Sequence, residues 1–355
     1  MRLKHWSPIV ELSRAFLQII DLVHFAAMMR RLLFLVLAAA ALPLFASDSK
    51  TFEATYVATV KDVPAGLKEL RLWIPLPVSR GGQTISSVRI ESPLHWTERS
   101  EGEFGDRYAT TTIANPPAGD FAVKVHFRGT RNELTTSRLA ETQASKAELA
   151  RALRADKLVT LSPRVKKLAD EVTAGKTTPT EQAHAIYDYL VANVKYDKTI
   201  PGWGHGDTER ACDIKAGNCT DFHSLFMSLA RSKGIPSRFI IGFPMSADHG
   251  TVTGYHCWAE FYVKGKGWIP VDPSEGSKAT DAAHRAYLFG NLDPDRVQFT
   301  MGRDVVLTPH TAEPLNYFIY PHAEADGKEV GTPAIALEYA TVQPASKTAA
   351  KTAAR

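Results

Sequence analysis

Two apolar patterns of different period, close together in the chain, limit what this sequence can fold into. Phe222, Leu225, Phe226, Leu229 and Ala230 recur at helical spacing. Gly234-Ile235-Pro236 stops that run, because glycine suits a left-handed cap and proline cannot continue a helix. Cys257, Ala259, Phe261 and Val263 instead alternate with their neighbours, which is the period of a strand. A turn at Lys264-Gly265-Lys266-Gly267 leads to a second strand pattern, in which Ile269 and Val271 point to the core. The region therefore holds a buried helix and a hairpin, each with one apolar face to cover.

The residues left over by these two patterns carry the chemistry. Asn218 is a fitting N-cap, which places Cys219 in the first helical turn. Unpaired backbone N–H groups and the positive end of the helix dipole favour a thiolate there, and the thiolate is the nucleophilic form. The N–H of Cys219 is also placed to donate to an oxyanion. If Cys257 and Ala259 face the core, then His256, Trp258, Glu260 and Tyr262 face the other way, and Asp272 likewise opposes Val271. Across an antiparallel hairpin His256 and Asp272 fall near each other, within a residue or two of register. A carboxylate beside an imidazole fixes its tautomer and stabilises the imidazolium that forms when it takes a thiol proton. Cys219, His256 and Asp272 thus read together as nucleophile, base and orienting group. Any one of them alone would read as an ordinary buried or structural residue.

Upstream, Thr178-Pro179-Thr180-Glu181 is a capping box with proline inside it. An apolar stripe follows at Ala183, Ile186, Tyr187, Leu190, Val191 and Val194, and His184 lies off it as a surface residue. Ser162-Pro163 is another helix start. Residues 51–134 alternate in strand fashion, from Phe52 to Val60, Leu70 to Ile74 and Phe121 to Phe127, with Gly/Pro-rich turns between them, the pattern of a β-sandwich. Residues 300–342 return to strands, and the Ala/Lys/Ser/Thr-rich tail after them has little to bury. At the start of the chain, Met29-Arg30-Arg31, the apolar run Leu32 to Ala41 and the small Ala46 form the pattern of a secretory signal cleaved near Ala46. The run is short of the roughly 20 apolar residues of a membrane span. Residues 1–46 hold five basic and two acidic side chains, which accounts for +3 of the formal net charge of +4. The body is therefore nearly neutral and carries no electrostatic footprint for nucleic acid. Cys212, Cys219 and Cys257 are too few for a disulfide scaffold, Cys212 with Cys257 is the pair an oxidising compartment leaves open, and no Cys/His cluster has zinc spacing.

Four spaced motifs resemble, in residues and in order, the bacterial transglutaminase-like superfamily. They are Gly217-Asn218-Cys219-Thr220-Asp221-Phe222, Gly234-Ile235-Pro236-Ser237-Arg238, His256-Cys257-Trp258-Ala259-Glu260 and Trp268-Ile269-Pro270-Val271-Asp272-Pro273. The resemblance runs from Thr178 to Gly276, and residues 290–296 extend it. It implies an α+β fold, a papain-like transglutaminase core flanked by β-sandwich-like N-terminal and C-terminal β segments. The domain plan is then an upstream extension with signal peptide at 1–46, an N-terminal β-domain at 47–134, and a helical segment with catalytic core at 135–290. A C-terminal β segment at 291–342 and a disordered tail at 343–355 complete it. The resemblance also implies thiol-dependent acyl transfer on amide bonds of peptides or proteins, cell-wall peptides among them, through a Cys219-His256-Asp272 triad. No cofactor or metal, no nucleic acid and no stable membrane span after signal cleavage are expected, and the location is periplasmic or secreted. Trp203 and Trp258 are the candidates for an oxyanion donor or a cleft wall. Animal-type transglutaminases use an upstream tryptophan as that donor, at a longer spacing than that of Trp203 to Cys219. The alternative is a non-catalytic binding or assembly module of the cell envelope that keeps the triad by descent.

Overall fold

The computed structural model describes residues 49–342 except 138 and 140–142, so the expected signal segment and the tail lie outside the described residues. Six strands come first: β1 (Ser49–Val63), β2 (Glu69–Pro75), β3 (Gln83–Glu91), β4 (Thr97–Ser100), β5 (Arg107–Ala114) and β6 (Gly119–Asn132). In β1 the alternation is visible as burial: Phe52, Ala54, Tyr56, Ala58 and Val60 are buried, and the residues between them are not. Three helices follow, α1 (Lys146–Leu153), α2 (Pro163–Val172) and α3 (Pro179–Asn193). Each is opened by a hydroxyl, of Ser145, Ser162 or Thr178, that accepts from a backbone N–H of the first turn. Next come β7 (Lys195–Tyr196), α4 (Thr208–Ile214), β8 (Ala216–Gly217), α5 (Cys219–Ser232), β9 (Ser237–Pro244), β10 (His249–Val252), β11 (His256–Val263) and β12 (Gly267–Val271). The chain then runs through α6 (Pro273–Lys278), α7 (Ala282–Tyr287), β13 (Arg296–Met301), β14 (His322–Ala325), β15 (Lys328–Glu329) and β16 (Thr332–Thr341).

The arrangement is α+β. An antiparallel sheet of order β12-β11-β9-β13 carries α5 on one face. Phe222, Leu225, Phe226 and Leu229 of the helix meet Cys257, Ala259 and Phe261 of β11 in one core. Helix and hairpin thus lie where the two apolar periods place them. Two further sheets, β10-β16-β1-β6-β3 and β15-β14-β2-β5-β4, combine strands from both ends of the described chain, with β10 added from its middle. β16 pairs with β1 from Phe52 opposite Thr341 to Lys61 opposite Thr332, and β14 pairs with β2. β13 joins the helix-bearing sheet through β9, although it falls in the segment after residue 290. Alternation marks a strand but not its partner, which packing across the whole fold decides. The same core continues into the first sheet, where the Tyr56 ring lies 5.0 Å from Phe299 and 5.8 Å from Phe243. No described helix is long and apolar enough to cross a membrane.

Candidate active site

The site forms where the start of α5 meets the ends of β11 and β12. Two capping contacts fix the helix start. Asn218 Oδ1 accepts from the Thr220 N–H at 2.9 Å, and Asp221 Oδ2 accepts from the Asn218 N–H at 2.9 Å. Asp221, itself buried, also accepts from the N–H groups of Gly204 at 2.8 Å and Gly206 at 3.1 Å, so the loop before α4 is tied to the same turn. Gly206 has φ +64°, and a Cβ there would lie 2.3 Å from Ser224 Oγ, which restricts the position to glycine. Cys219 is the first residue of the helix, and its N–H is not taken by either cap bond.

His256 opens β11, and Asp272 follows β12 and caps α6. In register, Ala259 faces Val271, so Asp272 sits at the level of Trp258 and reaches His256 diagonally at the strand ends. His256 Nε2 and Asp272 Oδ2 are 2.7 Å apart. Asp272 has no solvent exposure, and its carboxylate is surrounded by donors. Oδ2 also accepts from Arg296 Nη1 at 3.0 Å, while Oδ1 accepts from Ser274 Oγ at 2.9 Å and from the Glu275 N–H at 3.0 Å. Arg296 is itself buried, pairs with Asp293 at 2.5 Å, and lies 5.4 Å from the ring centre of Trp258.

Burial acts on all three groups, and their neighbours decide the outcome. For Cys219 the S–H of Cys257 hydrogen-bonds to the sulfur and favours the thiolate; burial opposes this, and the His256 hydrogen bond and charge add to it, leaving the thiol well below its ordinary value. For His256 burial disfavours the cation, but Asp272 and the Cys219 sulfur outweigh burial and raise it to about 10. For Asp272 burial is again the largest effect and would raise the acid, yet the cationic His256 and the hydrogen bonds of both neighbouring histidines hold it well below the usual carboxylate range. Cys257 is pushed the opposite way from Cys219, well above a free thiol, first by burial and then by its hydrogen bond to Cys219. All three shifts run toward a thiolate at Cys219, a cationic His256 and an ionised Asp272.

The structure therefore brings Cys219, His256 and Asp272 together. It does not place Trp258 at a cleft. Trp258 is fully buried on the sheet face away from α5, packed with Ile240, Leu292 and Met301 and flanked by the guanidinium groups of Arg131 and Arg296. Alternation along β11 put Trp258 and His256 on one face, but only the first residue of the strand reaches the site; farther along, that face is a second core. Trp203 is 38 % exposed beside Lys198, whose Nζ lies 5.8 Å from its ring, and its indole makes no hydrogen bond among the described residues. Cys212 and Cys257 are both free thiols. Three participants were given no role by the sequence reading: Arg296, His223 and Tyr255. The Tyr255 hydroxyl accepts from Asn218 Nδ2 at 3.1 Å and bonds Thr220 Oγ1 at 2.8 Å. A signal existed for His223, one helical turn after Cys219 and so on the same side of α5. For Arg296 the resemblance of residues 290–296 marked the segment but not the role, which depends on a strand pairing that is not local.

With this geometry in hand, known proteins place the fold. Residues 166–273 match the family described as the transglutaminase-like superfamily. An uncharacterized protein of Haemophilus influenzae is 27% identical over 329 residues, 81% of this chain and 89% of that protein. A protein-glutamine gamma-glutamyltransferase of Pseudomonas aeruginosa is 27% identical over 131 residues, 32% of this chain but only 18% of that protein. A solved structure from Cytophaga hutchinsonii, described as a candidate cysteine protease, superposes with a TM-score of 0.59 at 18% identity, covering 84% of this chain and 92% of that one. The likeness to that structure is one of fold and extends beyond the helix-bearing sheet.

Proposed function

We propose that this chain, which carries a transglutaminase-like superfamily domain at residues 166–273, is an exported thiol-dependent acyl-transfer enzyme acting on amide bonds of peptides or proteins. The observation that carries the proposal is the buried 2.7 Å contact of His256 with Asp272, made by the same histidine whose charge favours the thiolate of Cys219 at the head of α5. A second histidine–carboxylate contact at equal distance, buried but without a nucleophile beside it, would carry no such reading.

The resting ion pair sets the order of proton movements. The Cys219 thiolate attacks the amide carbonyl carbon, and the carbonyl oxygen takes up the negative charge next to the free N–H of Cys219. Trp203, on the loop tied to Asp221, is the candidate second wall of that pocket. His256 already holds the thiol proton and delivers it to the leaving amine nitrogen as the tetrahedral species collapses to a thioester. An incoming nucleophile then gives a proton to His256, attacks the thioester carbon, and releases Cys219 as thiolate. Asp272 stays ionised throughout, held there by Arg296, Ser274 and the Glu275 N–H, and stabilises the imidazolium. Hydrolysis is the favoured outcome, because water is always present and no second amine site stands out beside Cys219 among the described residues. The test is turnover of peptides, peptidoglycan fragments and amine acceptors by the purified chain. Release of amine that disappears in Cys219→Ala supports the proposal. Full cellular function of Cys219→Ala, with no turnover of any of these by the wild type, would move the non-catalytic module to first place.

A further inference from the structure

The site contains a second buried imidazole that the acyl-transfer steps do not use. His223 has no solvent exposure, and both of its ring nitrogens face acceptors. Nδ1 is 2.6 Å from the carbonyl oxygen of Cys219. A carbonyl can only accept, so Nδ1 carries a proton. Nε2 lies 3.3 Å from Asp272 Oδ1, and it forms no hydrogen bond among the described residues. A bare nitrogen lone pair there would be buried against a carboxylate oxygen with nothing to bond, which is costly at zero exposure. A proton on Nε2 turns the same contact into an ion pair. Asp272 then stands between two cationic rings, His256 at Oδ2 and His223 at Oδ1, whose centres are 6.4 Å apart.

We propose that His223 is a positioning residue of this site: protonated on both nitrogens, it anchors the Cys219 carbonyl and Asp272 at once and supplies a second positive charge that keeps Cys219 a thiolate. It acts through groups already in place. The Nδ1 proton is committed to the Cys219 carbonyl, and the Cys257 sulfur lies 3.5 Å from the same nitrogen. Facing a proton rather than a lone pair, Cys257 has no reason to donate to His223, and its S–H is directed instead to Thr220 Oγ1 at 3.8 Å. The charged and titratable groups around His223 come from every neighbouring element: Cys219 from α5, Cys257 and His256 from β11, Asp272 with Glu275 behind it from the start of α6, and Arg296 from β13 through Asp272. The hydroxyls of Tyr187 and Tyr196 are also close enough to feel Asp272. Of these, the Asp272 carboxylate is the negative group against the ring, 3.3 Å from Nε2.

The proposal rests on Cys219 being the nucleophile, and the experiment separates the two ideas. Long-range nitrogen–proton NMR of the histidine-labelled wild type reads each ring directly, with His223→Gln as the assignment control. The expected result at neutral pH is two protonated nitrogens on His223; a single-proton tautomer overturns the proposal. His223→Gln keeps an N–H donor but no charge. Its Cys219 alkylation by iodoacetamide should shift to higher pH, by on the order of one pH unit. A folded His223→Gln protein with the wild-type midpoint overturns the proposal. A purely structural role would change thermal unfolding without moving that midpoint. Wild-type Cys219 that alkylates only like a free thiol removes the nucleophile reading itself, whichever protonation the NMR shows.

Discussion

Helix α5 has a buried carboxylate near each end, and each is held by two cationic side chains of different chemistry. At the first turn is Asp272, bonded to His256 and Arg296. At the last turn is Asp156, bonded to Arg231 of the helix at 2.6 Å and to Arg151 of α1 at 2.7 Å. Burial would raise both acids, and in both cases the cations win and hold the carboxyl below its usual range. Yet only one end is poised for reaction. Arginine keeps its proton at every accessible pH, so the Asp156 cluster is a fixed clamp between α1 and α5. Histidine can pass its proton on, and at the first turn it has a thiol to take it from. A perturbed acid is therefore a poor marker of a site by itself, and the lability of its partners is what distinguishes function from architecture.

Breaking each end separately tests this contrast. The largest effect should come from the clamp: Asp156→Asn leaves the Arg231 guanidinium buried without its counter-charge, while Arg151 keeps Glu103 at 2.8 Å, and should cost about 3–5 kcal/mol of stability. Denaturant unfolding measures that loss, and turnover per folded molecule should stay near the wild type. Asp272→Asn should do the reverse. Rates should fall by on the order of 10²-fold or more, because an amide cannot stabilise the imidazolium. Equal damage to turnover from both variants, with both proteins folded, would erase the distinction. A smaller effect separates the ends by pH. Turnover should appear below the ordinary thiol value of about 8.5 and decline as pH passes about 10, where His256 gives up its proton. The sign for stability follows. His256, raised above a free imidazole, contributes stability that is complete in mild acid and is lost as pH rises through about 10. Asp272 contributes stability above the ordinary carboxylate range and loses it as pH falls through its depressed value. Thermal unfolding across pH should show both edges. The smallest effect belongs to Cys257→Ala, which removes one S–H donor from the Cys219 sulfur and should raise the pH needed for alkylation; Cys257→Ser keeps a donor and should shift it less.

What the sequence disclosed follows the reach of each signal. The start of α3 was legible because Thr178 and Glu181 cap each other across three residues. The start of α5 was legible because Asn218 caps it, and the burial of its stripe because Phe222 to Leu229 repeat within one helix. The strand pairing of β16 with β1 was not, since nothing in either alternation names the other. Trp258 shows the same limit at the site. Its side of β11 was correctly separated from the face that meets α5, but the residues that bury it, Leu292, Met301 and the two arginines, arrive from distant segments. The Cys219-His256-Asp272 set was readable because each member sits at an element boundary that local rules mark. Arg296, which completes the Asp272 shell, sits at the start of a strand whose sheet is chosen by packing.

Site-resolved alkylation of the three thiols addresses the central claim, that the first turn of α5 holds a reactive thiolate. The native protein is treated with iodoacetamide at mildly acidic pH, and modification at Cys212, Cys219 and Cys257 is followed by peptide mass spectrometry. Burial raises Cys212 to about 11 and also holds Cys257 well above a free thiol, so both should label slowly. Cys219 should label first and selectively, and should lose that advantage in His256→Ala. Labelling of Cys219 no faster than a free thiol, with the advantage unaffected by His256→Ala, would contradict the account.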